Sequence, residues 1–180
     1  MQNGKTRRLT YTPANSTETQ LIQKGLATYI PEDGVQQLFS GKHLIIGKGR
    51  RHEVFLITDL LWELFHNVKP QHPYFIGLFL GELKGHEFQP SLHILQRLAD
   101  EVKPAVKAIL TPSGEQQFLY GHSVEAQEFA SEPHQQEETN TVIVVNTAGD
   151  GLGYGIVKKT PKRTLLKNLL DLGWYLRRGQ

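Results

Sequence analysis

The stretch from Thr141 to Arg163 constrains the fold of this chain more than any other segment. Thr141 to Val145 is a β-branched run of strand length, and apolar and aromatic residues resume from Leu152 to Val157. Between the two runs lies Gly149-Asp150-Gly151, and glycine reaches positive φ without a Cβ clash. The sequence therefore predicts two strands joined by a tight glycine turn.

A cluster of positive charge follows this predicted hairpin. Its members are Lys158, Lys159, Lys162 and Arg163. Phosphate binding needs several Lys or Arg side chains on one face, because each neutralised phosphate releases condensed counterions. Since side chains alternate between the two faces of a strand, only one of Lys158 and Lys159 can share that face if the strand continues. The cluster predicts contact with RNA through the side chains that remain on one face.

Neighbouring residues extend this candidate site. Arg177 and Arg178 add positive charge close to the end of the chain. Tyr154 offers a ring on which a base could stack, whereas Trp174 and Tyr175 are of a type more often buried in a core.

The charges are segregated along the chain although the net charge is only +2. Residues 111–157 contain seven acidic residues and no Lys or Arg, and residues 158–180 contain seven Lys or Arg and a single acid, Asp171. Such segregation can make a face of one sign on a nearly neutral protein, as a polyanion partner requires. The same segregation along the chain is equally compatible with a solvated surface on which positive and negative charges are mixed once the chain folds.

Composition excludes several classes of protein. The chain has no cysteine, which removes disulfides, thiolate metal sites and cysteine nucleophiles. It has no run of 18 apolar residues, and the opening ten residues are not followed by an apolar leader segment. We therefore expect no membrane partner and a cytoplasmic location, or a nucleolar one if the source is eukaryotic.

Other functional sites find little support in the sequence. The glycines from Gly149 to Gly155 do not fit a dinucleotide fingerprint, because the third glycine falls on Tyr154 and a strand, not a helix, follows. The eight histidines show no pair at metal-binding spacing with a carboxylate or thiolate. We expect no catalytic residue, no metal, no cofactor and no small-molecule substrate.

The first hundred residues alternate helical and strand patterns, which predicts an antiparallel sheet with helices packed against it. The predicted helices begin at Ser16 or Thr17, at Thr58 or Asp59, and near Leu92; the predicted strands are His43–Ile46, Glu53–Ile57 and Tyr74–Leu80. Lys103-Pro104 is a plausible seam, so the predicted domains are residues 1–103 and 104–180. In the second, a strand over Val106–Leu110 and a short helix ending at Gly121 precede the hairpin.

Three short motifs in the second domain resemble a PUA domain, a small β-barrel-like module that binds RNA. They are Phe118-Leu119-Tyr120-Gly121, Leu152-Gly153-Tyr154-Gly155 and Asp171-Leu172-Gly173-Trp174. The chain most resembles the Nip-seven family of large-ribosomal-subunit biogenesis proteins, and the likeness extends upstream to His86-Glu87-Phe88 and Leu92-His93. The resemblance implies an α+β fold in which an N-terminal α/β domain precedes the PUA domain.

The resemblance also implies a function. Members of that family lack a known catalytic activity and act in ribosomal RNA processing and large-subunit assembly, and some are linked to the exosome. Archaeal-type members carry a basic patch that prefers uridine-rich single-stranded RNA, which corresponds here to Lys158, Lys159, Lys162 and Arg163. The basic residue usual before the Leu-His pair is Ser91 in this chain.

Two alternatives stay open from the sequence. The acidic segment over residues 115–138 could make the chain a protein-interaction adaptor that docks on the exosome or on pre-ribosomal proteins, and this role could coexist with RNA binding. The chain could also be an accessory of an RNA-modifying enzyme, although its first hundred residues show no synthase or methyltransferase motif.

Overall fold

A computed structural model describes residues 10–67, 76–133 and 141–178 of the chain. They form two compact units. The first contains the residues up to Thr28 and Glu32–Ser91, and the second contains Tyr29–Pro31 and the residues from Leu92 onward. The predicted seam at Lys103-Pro104 lies inside the second unit. None of the helices in the described residues is both long and apolar enough to span a bilayer.

The first unit is built on a five-stranded antiparallel sheet whose strands lie in space in their sequence order. The strands are β1 (Thr10–Pro13), β2 (Lys42–Lys48), β3 (His52–Thr58), β4 (Leu78–Lys84) and β5 (Glu87–Pro90). The predicted hairpin is confirmed as β2 and β3, with Lys48 opposite His52. The predicted strand over Tyr74–Leu80 instead becomes β4, which begins four residues later; Tyr74 and Phe75 lie outside the described residues.

Three helices accompany this sheet: α1 (Ser16–Ala27), α2 (Glu32–Phe39) and α3 (Asp59–Asn67). Asn15 caps α1, because its side chain accepts the Glu18 N–H at 2.8 Å and the Glu18 carboxylate accepts the Asn15 N–H at 2.9 Å. The cap therefore lies one residue before the predicted Ser16. Sequence reasoning did not predict α2.

The second unit is built on a six-stranded sheet with the strand order β7-β11-β10-β9-β6-β8. Its strands are β6 (Lys107–Leu110), β7 (Val124–Glu125), β8 (Phe129–Ser131), β9 (Thr141–Val145), β10 (Gly151–Thr160) and β11 (Arg163–Asp171). Its helices are α4 (Leu92–Arg97), α5 (Pro112–Leu119) and α6 (Gly173–Arg178). The parallel pairing of β6 with β9 joins two sets of antiparallel strands into one curved sheet.

The core of the second unit lies on one side of β9, β10 and β11. It is formed by inward-facing residues of these strands together with α5 and the neighbouring strands: Ala108, Leu110, Phe118, Val124, Val142, Val144, Leu152, Val157 and Leu166. The intervening residues of β9, Ile143 and Val145, are also buried, so both faces of β9 are covered. Helix α4 covers part of β10 on the side away from the core, and its Gln96 Nε2 donates to the Gly151 carbonyl at 3.3 Å.

The predicted fold class is confirmed: an antiparallel sheet with helices is followed by a nearly closed, barrel-like sheet. The predicted glycine-turn hairpin is confirmed as β9 and β10, with Gly149 at φ 94° in the turn. The hairpin extends three residues past Val157, and β11 then pairs along most of β10. This extension decides where the cationic side chains lie.

Candidate nucleic-acid interface

The four predicted cations lie at the turn between β10 and β11. Lys158 and Lys159 are in the last residues of β10, Lys162 is in the turn and Arg163 begins β11; all four are exposed. Thr160 closes the turn, because its Oγ1 donates to the Arg163 carbonyl at 2.9 Å and accepts the Arg163 N–H at 3.1 Å. The positive charges are therefore mounted on a hydrogen-bonded hairpin.

The pairing of the two strands determines which side chains share a face. Val157 is paired with Leu166, and both belong to the core. Residues directly opposite each other lie on the same side of a sheet, and successive residues alternate. The adjacent pairs Lys158–Leu165 and Ile156–Lys167 therefore face away from the core, and so does the pair Thr160–Arg163. We call this surface, formed by Ile156, Lys158, Thr160, Arg163, Leu165 and Lys167, the outer face.

Three cations are thus brought together on the outer face: Lys158, Arg163 and Lys167. Lys158 lies opposite Leu165, so Arg163 and Lys167 are its two diagonal neighbours, at a spacing of about 7–8 Å between backbone positions. None of the three forms an ion pair with a residue that the structure describes.

Lys159 lies on the other side of the sheet, as strand alternation predicts. It is paired with Thr164, and its Nζ is 3.2 Å from Glu132 Oε2. The Lys159 and Glu132 side chains are 47% and 41% exposed, so this ion pair is well solvated and contributes little stability. Lys159 is therefore separated from the other cations by the sheet itself.

One acid shares the outer face. Glu125 of β7 lies opposite Leu165, and its carboxylate accepts a hydrogen bond from Gln127 Nε2 at 3.1 Å. Two strand spacings, about 10 Å, separate Glu125 from Lys158. That is about one Debye length at moderate ionic strength, so the outer face stays positive around Lys158.

Tyr154 lies farther along β10, between Ile143 of β9 and Leu170 of β11, and is half-buried. Tyr29 of the same unit lies near it: burial, and then the neighbouring Tyr154, raises the pKa of the Tyr29 phenol. By strand alternation Tyr154 is on the same side of β10 as Ile156 and Lys158, so its half-buried ring lies farther along the surface that faces away from the core, four residues from Lys158.

Arg177 has a structural partner. Its Nη1 and Nη2 donate to the two carboxylate oxygens of Asp171 at 3.1 and 2.8 Å, and Nη1 also donates to the Leu119 carbonyl. The hydrogen bonds that Arg177 donates to Asp171 raise the pKa of its guanidinium. Arg177 thus ties α6 to the end of α5. Arg178 ends α6, and its side chain lies outside what the structure describes.

Sequence reasoning missed Lys167 and Glu125 as members of this surface. Lys167 lies in a segment with two adjacent leucine pairs, Leu165-Leu166 and Leu169-Leu170, which shows no strand alternation. Only its pairing with Ile156 identifies its face. In the described residues, no group of three His, Cys, Asp or Glu side chains has an arrangement that could hold a metal ion.

Two family models match the chain in sequence order. Residues 11–92 match the pre-PUA domain of NIP7/UPF0113, and residues 106–180 match the UPF0113 PUA domain. The chain belongs to the NIP7/UPF0113 family. A UPF0113 protein from Aeropyrum pernix is 38% identical over 134 residues, which cover 73% of this chain and 72% of that protein. The predicted resemblance to the Nip-seven family is therefore confirmed.

Solved structures share the fold of this NIP7/UPF0113 member at low sequence identity. A conserved PUA domain protein from Thermoplasma acidophilum has a TM-score of 0.58 and 13% identity, covering 94% of this chain and 99% of that chain. The hypothetical protein PH0734.1 from Pyrococcus horikoshii has a TM-score of 0.57 and 15% identity, with 93% and 99% covered. A PUA domain from Aeropyrum pernix, solved as a tartrate complex, has a TM-score of 0.57 and 13% identity, with 95% and 92% covered. These matches show that the fold is shared, and the PUA-domain family model suggests RNA binding.

Proposed function

We propose that this protein is a non-enzymatic factor that binds single-stranded RNA through the outer face of β10 and β11. The observation that carries the proposal is the placement of Lys158, Arg163 and Lys167 on one exposed face, without ion pairs to described residues. Three phosphate contacts on single-stranded RNA give a slope of about −2 in a plot of log affinity against log salt concentration. Lys162, exposed in the turn, would steepen that slope.

We further propose that the RNA is a uridine-rich segment of a ribosomal RNA precursor, and that the protein acts in the cytoplasm during large-subunit assembly. The support is membership of the NIP7/UPF0113 family and the cations on the outer face, which include Lys158 and Arg163 of the predicted patch. Nucleotide-resolution crosslinking of the protein to RNA in its own cells tests this assignment: crosslinks outside ribosomal RNA precursors would contradict it.

Reversing two charges on the outer face is expected to abolish most RNA binding. The double variant Lys158→Glu/Arg163→Glu loses two charge-assisted contacts, each worth about 1.5 kcal/mol, so its affinity for a short uridine oligomer should fall roughly 100-fold. Its salt slope should flatten by about 1.4. Titration of a labelled oligomer at several salt concentrations measures both quantities.

The matched control compares two single variants: Lys159→Glu makes the same charge change as Lys158→Glu, but on the opposite side of the sheet. The affinity of Lys159→Glu should stay within about threefold of the wild type, because only long-range charge is altered. Equal losses in Lys159→Glu and in Lys158→Glu would show that net charge, and not the outer face, determines binding.

A second candidate function is protein docking through the first unit. Helix α3 buries none of its residues fully, and Leu60 and Leu64, one helical turn apart, are 75% and 54% exposed. This pair supports the adaptor role better than the acidic segment does, because the acids of that segment in the described residues all have local partners. Glu115, Glu125 and Glu128 accept hydrogen bonds from Asn146 Nδ2, Gln127 Nε2 and Thr111 Oγ1, and Glu132 pairs with Lys159. Exosome or pre-ribosomal proteins are the proposed partners.

The double variant Leu60→Glu/Leu64→Glu separates the two functions. We expect it to bind the uridine oligomer like the wild type, and to be lost from sedimenting pre-ribosomal particles if docking is the role of α3. Unchanged sedimentation would remove this candidate.

A further inference from the structure

Apolar side chains lie among the cations of the outer face. Leu165 is directly opposite Lys158, and it is two residues from both Arg163 and Lys167 along β11, so cations flank it on three sides while Glu125 of β7 lies on the fourth. Ile156, opposite Lys167, is its diagonal neighbour on β10. Both apolar side chains are half-buried and reach solvent.

The apolar surface continues along β11. The register of the two strands shifts after the Gly155–Asn168 pair, and Leu169 is the extra residue at this irregularity. Leu169 is 43% exposed, and it is one of four large hydrophobic side chains that the described residues leave exposed. The side chain of the preceding residue, Asn168, instead points toward the C-terminal end of α5, where its Nδ2 donates to the Phe118 carbonyl at 2.7 Å.

An apolar centre with a cationic rim selects a particular ligand. Phosphates alone would be satisfied by the rim and would leave Leu165 in water, whereas an unpaired base has an apolar face that can cover it. A duplex cannot present such a base face, because its base faces are stacked against one another. The arrangement therefore suits a single strand whose phosphates reach the rim while a base lies on the centre.

We propose that Leu165, Ile156 and Leu169 form a platform for one or two unstacked bases, and that Lys167 completes the rim that holds the flanking phosphates. This inference rests on the proposed function and specifies its ligand as unpaired RNA with exposed bases. The platform is aliphatic and carries no hydrogen-bonding group, so it favours bases over a bare phosphate chain without reading their identity by itself. Any uridine preference then has to come from other contacts.

The test compares three ligands of equal length: a uridine oligomer, the same oligomer with abasic sugars at its central positions, and a duplex. Wild-type protein should bind the uridine oligomer about tenfold more tightly than the abasic oligomer and the duplex. Leu165→Thr, which keeps a strand-forming residue, should lose about fivefold on the uridine oligomer and almost nothing on the abasic one. Lys167→Glu should lose about tenfold on both oligomers, because phosphates are present in each.

Leu169→Gln provides a second variant at a side chain that is already exposed, so the fold should tolerate it even if Leu165→Thr unfolds. It should show the same selective loss, of about threefold. Equal affinity of the wild type for uridine and abasic oligomers, or unchanged binding by both leucine variants, would overturn the platform while leaving RNA binding by the outer face intact. No binding of any RNA by the wild type would instead refute the proposed function itself.

Discussion

Replacing Asp171 with alanine is expected to lower the free energy of unfolding of the second unit by about 3 kcal/mol. Asp171 is only 1% exposed, and it accepts hydrogen bonds from both terminal nitrogens of Arg177 and from Asn168 Nδ2 at 3.0 Å. Alanine removes every one of these acceptors and leaves a space at the junction of β11, α5 and α6. For a unit of this size, such a loss corresponds to a decrease in melting temperature of roughly 15 °C.

Hydrogen exchange measured by mass spectrometry checks this prediction and locates the effect. The amides of β10 and β11 should lose protection in Asp171→Ala, whereas those of β2 and β3 in the first unit should keep theirs. Glu125→Ala is the matched control, because it removes an exposed carboxylate from a neighbouring strand and should change stability by no more than about 0.5 kcal/mol. Wild-type protection of β11 in Asp171→Ala would contradict the role given to the carboxylate.

Replacing Gly153 with alanine is expected to destabilise the second unit by about 3 kcal/mol or more. Gly153 lies where β10 passes close to the end of β11, and an added Cβ would overlap the Leu170 carbonyl oxygen, approach the Asp171 Cα within 2.9 Å and meet the Phe118 ring at the same distance. Two of these three neighbours are backbone atoms, so the contact can be relieved only by separating the strands. The ring is that of a fully buried core residue and has no room to move.

Chemical denaturation followed by circular dichroism measures this loss, because the mixed sheet of the second unit contributes much of the β signal. The matched control is Gly85→Asn in the β4–β5 turn, where φ is +60° and nothing lies within 4 Å of an added Cβ. Asparagine adopts this conformation readily, so the control should cost no more than about 1 kcal/mol. If Gly153→Ala were as mild as Gly85→Asn, the close approach of β10 and β11 would be in doubt.

The sequence predicted the elements whose signals are local. The β-branched run before Gly149 and the apolar run after Gly151 were sufficient for β9 and β10, and Asp59 marked the start of α3. Helix α2 has no clear local signal, because Pro31 and Gly34 are residue types that commonly end a helix, whereas Gly34 lies inside α2. Its Val35 is buried, so packing offsets the low helix propensity of the glycine.

The boundary between the two units likewise depends on contacts that local sequence signals do not show. Pro104 indicates local stiffness, but the unit to which a segment belongs depends on what it packs against. Gln96 bonds to Gly151, and the Lys103 N–H donates to the Tyr29 carbonyl at 2.8 Å, so the residues between Leu92 and Lys103 join the second unit. Neither contact is visible from spacing along the chain.

By itself, the sequence determined the fold class, the family, the glycine-turn hairpin and the presence of a cation cluster after it, because each depends on residue types at short spacing. Tertiary structure alone decided which cations act together. The pairing of β11 with β10 puts Lys167 on the same face as Lys158 and Arg163, with Leu165 between these cations, and leaves Lys159 with Glu132 on the other side. The physical reason is that a strand's face is set by its hydrogen-bonded register with a neighbour, and β11 carries no alternation of its own from which that register could be inferred.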